Sequence, residues 1–122
     1  MINERPSVEA WLKETKQSAD AARVGMCLMH NGVVRGTARD GSPVTGMELT
    51  YDHDRLQEVL ASVAAMPGVA TVRAWVNEGR LAVGDDIMLA LVAGDIREHV
   101  FAALQELVRR IKTEVVREQE IK

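Results

Sequence analysis

The segment Ile87-Met-Leu-Ala-Leu-Val92 is continuously apolar and lies between Gly84-Asp85 and Gly94-Asp95. A short apolar run framed by turn residues reads as a strand, and left open on a sheet edge it would invite pairing with other chains. Gly94-Asp95 then opens a helix in which Ile96, Val100, Leu104, Leu107, Val108, Ile111 and Val115 recur at steps of three and four, a strong apolar stripe. Strand and stripe together demand a sheet with helices packed against it. Aromatic residues are only 3% of the sequence, so the core between them is aliphatic and methionine-filled. The 122 residues supply one domain, 1–122, with no room for a second independent core.

The rest of the chain has alternating signals. Ser7 caps a helix that carries Val8, Trp11, Leu12 and Thr15 and is expected to end near Ala21–Ala22. Val24 to His30 reads as a buried strand, closed by a turn at Asn31-Gly32. Gly36 to Pro43 is a turn-rich loop, and Val44 to Tyr51 alternates as a half-exposed strand. Asp52 caps a helix through Met66, which Pro67-Gly68 stops. Val69–Val76 is a strand, Asn77-Glu78-Gly79 a turn and Leu81–Val83 a short strand. The order α-β-β-α-β-β-β-α with antiparallel hairpins predicts an α+β fold, a mixed and mainly antiparallel sheet with flanking helices.

Several function classes drop out. No apolar run approaches the length of a membrane span of about 18–20 residues, and the N-terminal segment through Pro6 has no basic flank followed by an apolar stretch, so no secretory signal is expected. One cysteine, Cys27, excludes an intramolecular disulfide and multi-cysteine metal sites, which fits a reducing cytoplasm. The net charge of −3 argues against nucleic acid as a partner. Phosphate-loop, dinucleotide, zinc-protease and nucleophile-elbow motifs are absent.

The charge is nevertheless uneven. Residues 23–39 carry Arg23, Arg35 and Arg39 and no acid, whereas residues 40–96 carry nine acidic against three basic side chains. An acid-free arginine segment in an acidic chain points to a local anion site. Arg35, Arg39, Arg97 and Lys112 are the candidates. Lys112 follows Ile111 of the stripe, so its stem can run along the helix edge with the ammonium beside a cleft. Tyr51-Asp52-His53-Asp54 offers metal-ligand types, but capping accounts for Asp52, and no metal or other cofactor is expected. His30 reads as a satisfied structural histidine, His99 as exposed, and Cys27 as a buried inert thiol.

These residues together carry a resemblance. Gly32-Val-Val-Arg35 before a Gly-Asp loop, Met47-Glu-Leu-Thr-Tyr51 running into a helix, Glu78-Gly-Arg-Leu-Ala-Val-Gly84-Asp85, then Arg97, Phe101 and Ile111-Lys112-Thr113 are collinear with the large, catalytic subunit of molybdopterin synthase, the MoaE family. The resemblance covers roughly residues 7 to 116. It implies an α/β-hammerhead-like fold and a homodimer within a heterotetramer. It also implies sulfur transfer from the thiocarboxylated C-terminal Gly-Gly tail of a small ubiquitin-like carrier subunit to cyclic pyranopterin monophosphate, in two rounds, forming the dithiolene of molybdopterin. By position Arg35 matches the family's loop arginine, Arg97 the arginine of its His-Arg pair, and Lys112 the first of two lysines; Arg39 is added from the same arginine segment. Guanidinium forks suit the phosphate, and a fixed ammonium suits negative charge that builds during sulfur transfer.

The sequence departs from the family pattern at defined places. The histidine of the pair is Ile96, an earlier His-Arg is Val76-Asn77, and the Pro-x-Trp-Lys segment with the second lysine is replaced by Val116-Arg117-Glu118-Gln119 in a shortened tail. Arg117 or Lys122 could supply the missing charge in space. Arg97 and Lys112 are 15 residues apart, about 22 Å on one straight helix, so they meet one substrate only if Arg97 precedes the helix or comes from a sister subunit. Two readings are therefore open: a catalytic subunit using Arg35, Arg39, Arg97 and Lys112, or a diverged binding module that keeps the dimer and cleft without turnover.

Overall fold

The computed structural model describes residues 4–122. Met1–Asn3, the start of the segment read for a secretory signal, lie outside the described residues. Helix α1 (Val8–Gln17) is followed by a 3-10 turn (Ala21–Arg23), strands β1 (Met26–Val33) and β2 (Gly46–Tyr51), and helix α2 (His53–Ala64). Strands β3 (Val69–Val76), β4 (Gly79–Ala82) and β5 (Asp86–Gly94) lead to α3 (Arg97–Arg110), a π-helical turn (Ile111–Val115) and β6 (Val116–Ile121). The strands form two three-stranded sheets, β1-β5-β3 and β4-β2-β6, and every pairing is antiparallel. The expected α+β fold is thus present, with the strands divided between two sheets.

The apolar run becomes β5, the centre of its sheet, and Met88 to Ala93 are fully buried. With β1 and β3 on either side it leaves no open edge of its own; the outer edge of β1 is open instead. Met88, Ala90 and Val92 point toward the cluster formed by Leu56, Val59 and Val63 of α2 and Val100, Ala103 and Leu107 of α3. Burying each such aliphatic side chain is worth about 1.5–3 kcal/mol, so this layer holds the two helices on the sheet. On the other side, α1 is tied to β3 by Arg73, whose Nη1 lies 3.2 Å from Glu14 and whose guanidinium sits over the Trp11 ring.

Local signals explain most boundaries. The Ser7 hydroxyl accepts from the Ala10 N–H, and Asp52 accepts from the Arg55 N–H, as expected of the two N-caps. Helix α1 is shorter than its apolar spacing suggests: Ser18 Oγ donates to the Thr15 carbonyl and Ser18 is extended, so the helix ends at Gln17 and resumes only as a 3-10 turn. The Asn31-Gly32 turn is not formed. Strand β1 runs straight through it, with Asn31 opposite Leu89 and Gly32 opposite Met88, and the irregularity falls between Gly32 and Val33. Asn31 Nδ2 instead donates to Asp86 Oδ1 at 3.0 Å, anchoring the strand end.

The largest departure is at the C-terminal end. The stripe reaches Val115 without a continuous α-helix, because Ile111–Val115 widen into a π turn that keeps Ile111 and Val115 buried. The chain then extends as β6 against β2, with Tyr51 opposite Val116 and Gly46 opposite Ile121.

Candidate functional site

The loop between β1 and β2 is built to present arginines. Thr37 bridges Pro43, the Ala38 N–H donates to Ser42 O, and Gly41 turns the chain at a φ of +87°, a conformation costly for any residue with a side chain. Asp40 Oδ1 accepts from the Ser42 N–H at 2.9 Å and the Ser42 hydroxyl at 2.7 Å. Those hydrogen bonds, with Lys122 nearby, hold the Asp40 carboxyl below the usual carboxylate range. Arg35 is fixed at the base of the loop by its Nε, which donates to Thr37 O at 2.9 Å. Arg39 makes no hydrogen bond or ion pair with any described residue.

This loop forms one wall of a cleft of about 830 Å³. Val33, Ala38, Met47, Ile87 and Val116 supply its apolar lining, and Arg35, Arg39 and Lys112 are among its charged lining residues. Strand β6 forms the opposite wall. Its alternate residues Val116, Glu118, Glu120 and Lys122 line the cleft, as the two-residue period of a strand requires. Lys112 projects from the π turn with its Nζ 3.8 Å from Glu118 Oε1, and Lys122 Nζ donates to Ser42 Oγ at 2.6 Å.

The π turn is held from behind. Glu114 bonds both Arg110 and Arg55, and these guanidinium groups, Arg110 foremost, pull its carboxyl down to about 2. The Asp52 N–H donates to Val115 O at 2.9 Å, joining the turn to the cap of α2. Lys112 is therefore mounted on a braced segment rather than on a fraying helix end.

Three of the four candidate residues, Arg35, Arg39 and Lys112, thus face one cleft. Arg97 does not: it opens α3, exposed, at the opposite end of that helix from the π turn, and it is not on the cleft wall. Of the two residues considered for the missing charge, Lys122 lines the cleft and Arg117 falls on the other face of β6. Glu118 and Glu120 are cleft residues that the sequence reading did not raise. The period-two spacing of 116, 118, 120 and 122 would have revealed them had the strand been recognised.

Two structural expectations need correction. His30 is not satisfied: its Nε2 is buried and has no hydrogen-bond partner. Burial, and then the charge of Lys112, push its pKa below the ordinary histidine value, and it lines the separate groove beside Phe101 and Leu104. Cys27 is only half-buried, because β1 is an edge strand that lacks a neighbour on one side. His99 is partly exposed, and its Nδ1 lies 2.8 Å from Asp95 Oδ1. In the Tyr51–Asp54 segment Asp52 caps α2 and the His53 ring stacks on Tyr51 at 4.1 Å. Among the described residues no group of three or more His, Cys, Asp or Glu is arranged to hold a metal ion.

Fold and cleft define an α+β protein whose two-sheet framework carries a cleft lined by four cationic and three acidic side chains together with apolar surface. The family model described as MoaE protein matches residues 2–114, and the chain belongs to the MoaE family. Membership supports a role in molybdenum cofactor biosynthesis. No curated protein matches the sequence.

Among solved structures, the molybdopterin synthase of Staphylococcus aureus is similar at a TM-score of 0.77 and 20% identity, over 99% of this chain and 92% of that one. The molybdopterin biosynthesis MoaE protein of Burkholderia ambifaria is similar at a TM-score of 0.73 and 20% identity, over 97% and 84%. A complex of subunits 1 and 2 of molybdopterin-converting factor from Helicobacter pylori contains a chain similar at 0.68 and 15% identity, over 94% and 78%. The family match ends at residue 114, so β6, which builds one wall of the cleft, lies beyond it. No described helix is long and apolar enough to cross a membrane.

Proposed function

We propose that this chain is the large, catalytic subunit of a molybdopterin synthase, acting in the cytoplasm. It would accept the thiocarboxylated Gly-Gly tail of a small ubiquitin-like carrier and transfer sulfur to cyclic pyranopterin monophosphate. The observation that carries the proposal is the convergence of Arg35, Arg39 and Lys112 on one cleft with a partly apolar lining. Arg39, and the terminal nitrogens of Arg35, have no carboxylate partner among the described residues, so both guanidinium groups are available to fork a phosphate. The Lys112 ammonium has one weakly placed partner, Glu118 at 3.8 Å. A substrate anion displaces it at little cost, leaving the charge to stabilise negative charge on the transferring sulfur and the tail carbonyl. Lys122, on the facing wall, supplies a second ammonium where the family's second lysine has no counterpart in sequence.

The homodimer belongs to the same proposal and would bring Arg97 to a neighbouring cleft. It is supported by the open edge of β1 and by the apolar groove beside it, where Phe101 is 54% exposed. Light scattering at micromolar concentration is expected to give twice the chain mass; a monomer mass overturns the dimer.

The diverged-module reading is favoured by one observation: the position of the family histidine is Ile96, exposed and apolar, at the N-cap of α3. Calorimetric titration with cyclic pyranopterin monophosphate and with a thiocarboxylated carrier, followed by product analysis, separates the two. Binding with dithiolene formation supports the catalytic subunit, binding of both without product supports the module, and binding of neither overturns both.

A further inference from the structure

The cleft is not uniformly basic, and its acids are not equivalent. Asp40 is committed to its own loop through Ser42, and Glu118 faces Lys112. Glu120 has neither a hydrogen bond nor an ion pair with any described residue, yet it lies on the cleft face of β6 between Glu118 and Lys122. An unpaired carboxylate inside an anion site weakens binding of a simple anion, because like charges repel across such distances. Its presence is productive only for a ligand that brings hydrogen-bond donors to that point.

The surroundings of Glu120 define those donors. In the β2–β6 pairing Glu120 lies opposite Met47, which is buried and forms part of the cleft lining. A flat ring resting on Met47 would therefore present its edge to the Glu120 carboxylate while an attached phosphate reaches the loop that carries the arginines. A carboxylate is acceptor-only and two-pronged, so it pairs best with two adjacent N–H donors on one ring edge. The pairing parallels the way an acidic side chain reads a base by its amino group.

We propose that Glu120 is the specificity-determining residue of the cleft and binds the amino-pyrimidinone edge of the substrate ring, through the ring N–H and the adjacent exocyclic amino group. The assignment rests on the reading of the cleft as a site for a pterin phosphate and sets the orientation in it: ring donors on the β6 wall, phosphate on the loop that carries Arg35 and Arg39. The residue that carries this recognition lies on β6, beyond residue 114 where the family match ends.

Guanosine monophosphate carries the same pair of donors and a phosphate, and inosine monophosphate lacks only the exocyclic amino group, so the two serve as probes that need no turnover. Inorganic phosphate reports the anion site alone. The wild-type protein is expected to bind the guanine nucleotide about tenfold more tightly than the inosine nucleotide, the effect of one charge-assisted hydrogen bond. Glu120→Ala is expected to remove that preference and Glu120→Gln, which keeps an acceptor without the charge, to reduce it, while phosphate binds as well as before or better. Glu120 is exposed, so both variants should melt with the wild type. Equal affinity of the wild type for the two nucleotides, with phosphate still bound, overturns the role of Glu120 and leaves the anion cleft standing. A preference that survives both substitutions overturns it too. Failure to bind phosphate or either nucleotide overturns the cleft reading itself, and this assignment with it.

Discussion

Replacing Ile111 by alanine and, separately, Lys112 by alanine perturbs two neighbours on the π turn that the structure assigns opposite duties. Ile111 is 0% exposed in the core under α3. Losing three carbon groups forfeits about 2.4 kcal/mol of transfer energy at about 0.8 kcal/mol each, and the residual cavity raises the cost to about 3.5 kcal/mol. At about 2.1 cal/mol/K per residue the unfolding entropy is about 0.26 kcal/mol/K, so Tm should fall by about 13 °C. The Lys112 side chain is 45% exposed and its single ion pair is 3.8 Å long; its loss should cost under about 1 kcal/mol, or less than about 4 °C. Binding shows the reverse order. A charge about 4 Å from a phosphate is worth about 1 kcal/mol in water and about 4 kcal/mol near a protein surface. For a half-exposed lysine about 1–2 kcal/mol is appropriate, so phosphate-bearing ligands should bind Lys112→Ala about 5–30-fold more weakly. Scanning calorimetry gives the first pair of numbers and titration calorimetry the second. A Tm loss in Lys112→Ala equal to that of Ile111→Ala, or unchanged phosphate affinity, would show that the lysine is a packing stem and dipole partner.

Glu114 should make the fold acid-sensitive. Its carboxyl is held near 2 in the folded chain, below its ordinary value of 4.5, so its contribution is complete above about pH 4.5 and is lost as pH falls toward 2. Thermal melts from pH 6 to pH 2 should decline more steeply for the wild type than for Glu114→Gln; parallel declines would refute the bracing role. Gly46→Ala should be strongly destabilising, because its Cβ would lie 2.6 Å from the Leu81 carbonyl across the β2–β4 pair; a variant with wild-type Tm refutes the close approach.

What the sequence made legible follows the strength of each local signal. Strand β3 and helices α2 and α3 carry dense periodic patterns, and β5 is a continuous apolar run between glycine turns, so their existence and type were evident. Strand β6 was not. Val-Arg-Glu-Gln-Glu-Ile has apolar residues only at its ends, and its extended form comes from pairing with β2 rather than from its own pattern. The π turn was likewise hidden, since the stripe continues in step through Ile111 and Val115. Asn31-Gly32 is a strong turn signal that lost to the tertiary ladder with β5. In the site, the acid-free segment drew attention to Arg35 and Arg39, and the stripe edge to Lys112, and these three residues line one cleft. The β6 acids were missed because their face depends on that strand, and the place of Arg97 depends on helix geometry that separates it from Lys112.

The most direct test of the account is single-turnover sulfur transfer. Wild-type protein and Lys112→Ala are each mixed with a thiocarboxylated carrier and cyclic pyranopterin monophosphate, and the dithiolene is measured by mass spectrometry. The account predicts product from the wild type and none from the variant, with both proteins folded. Equal product from both would remove Lys112 from the chemistry, and no product from the wild type with a competent carrier would contradict the assignment of the cleft as a sulfur-transfer site.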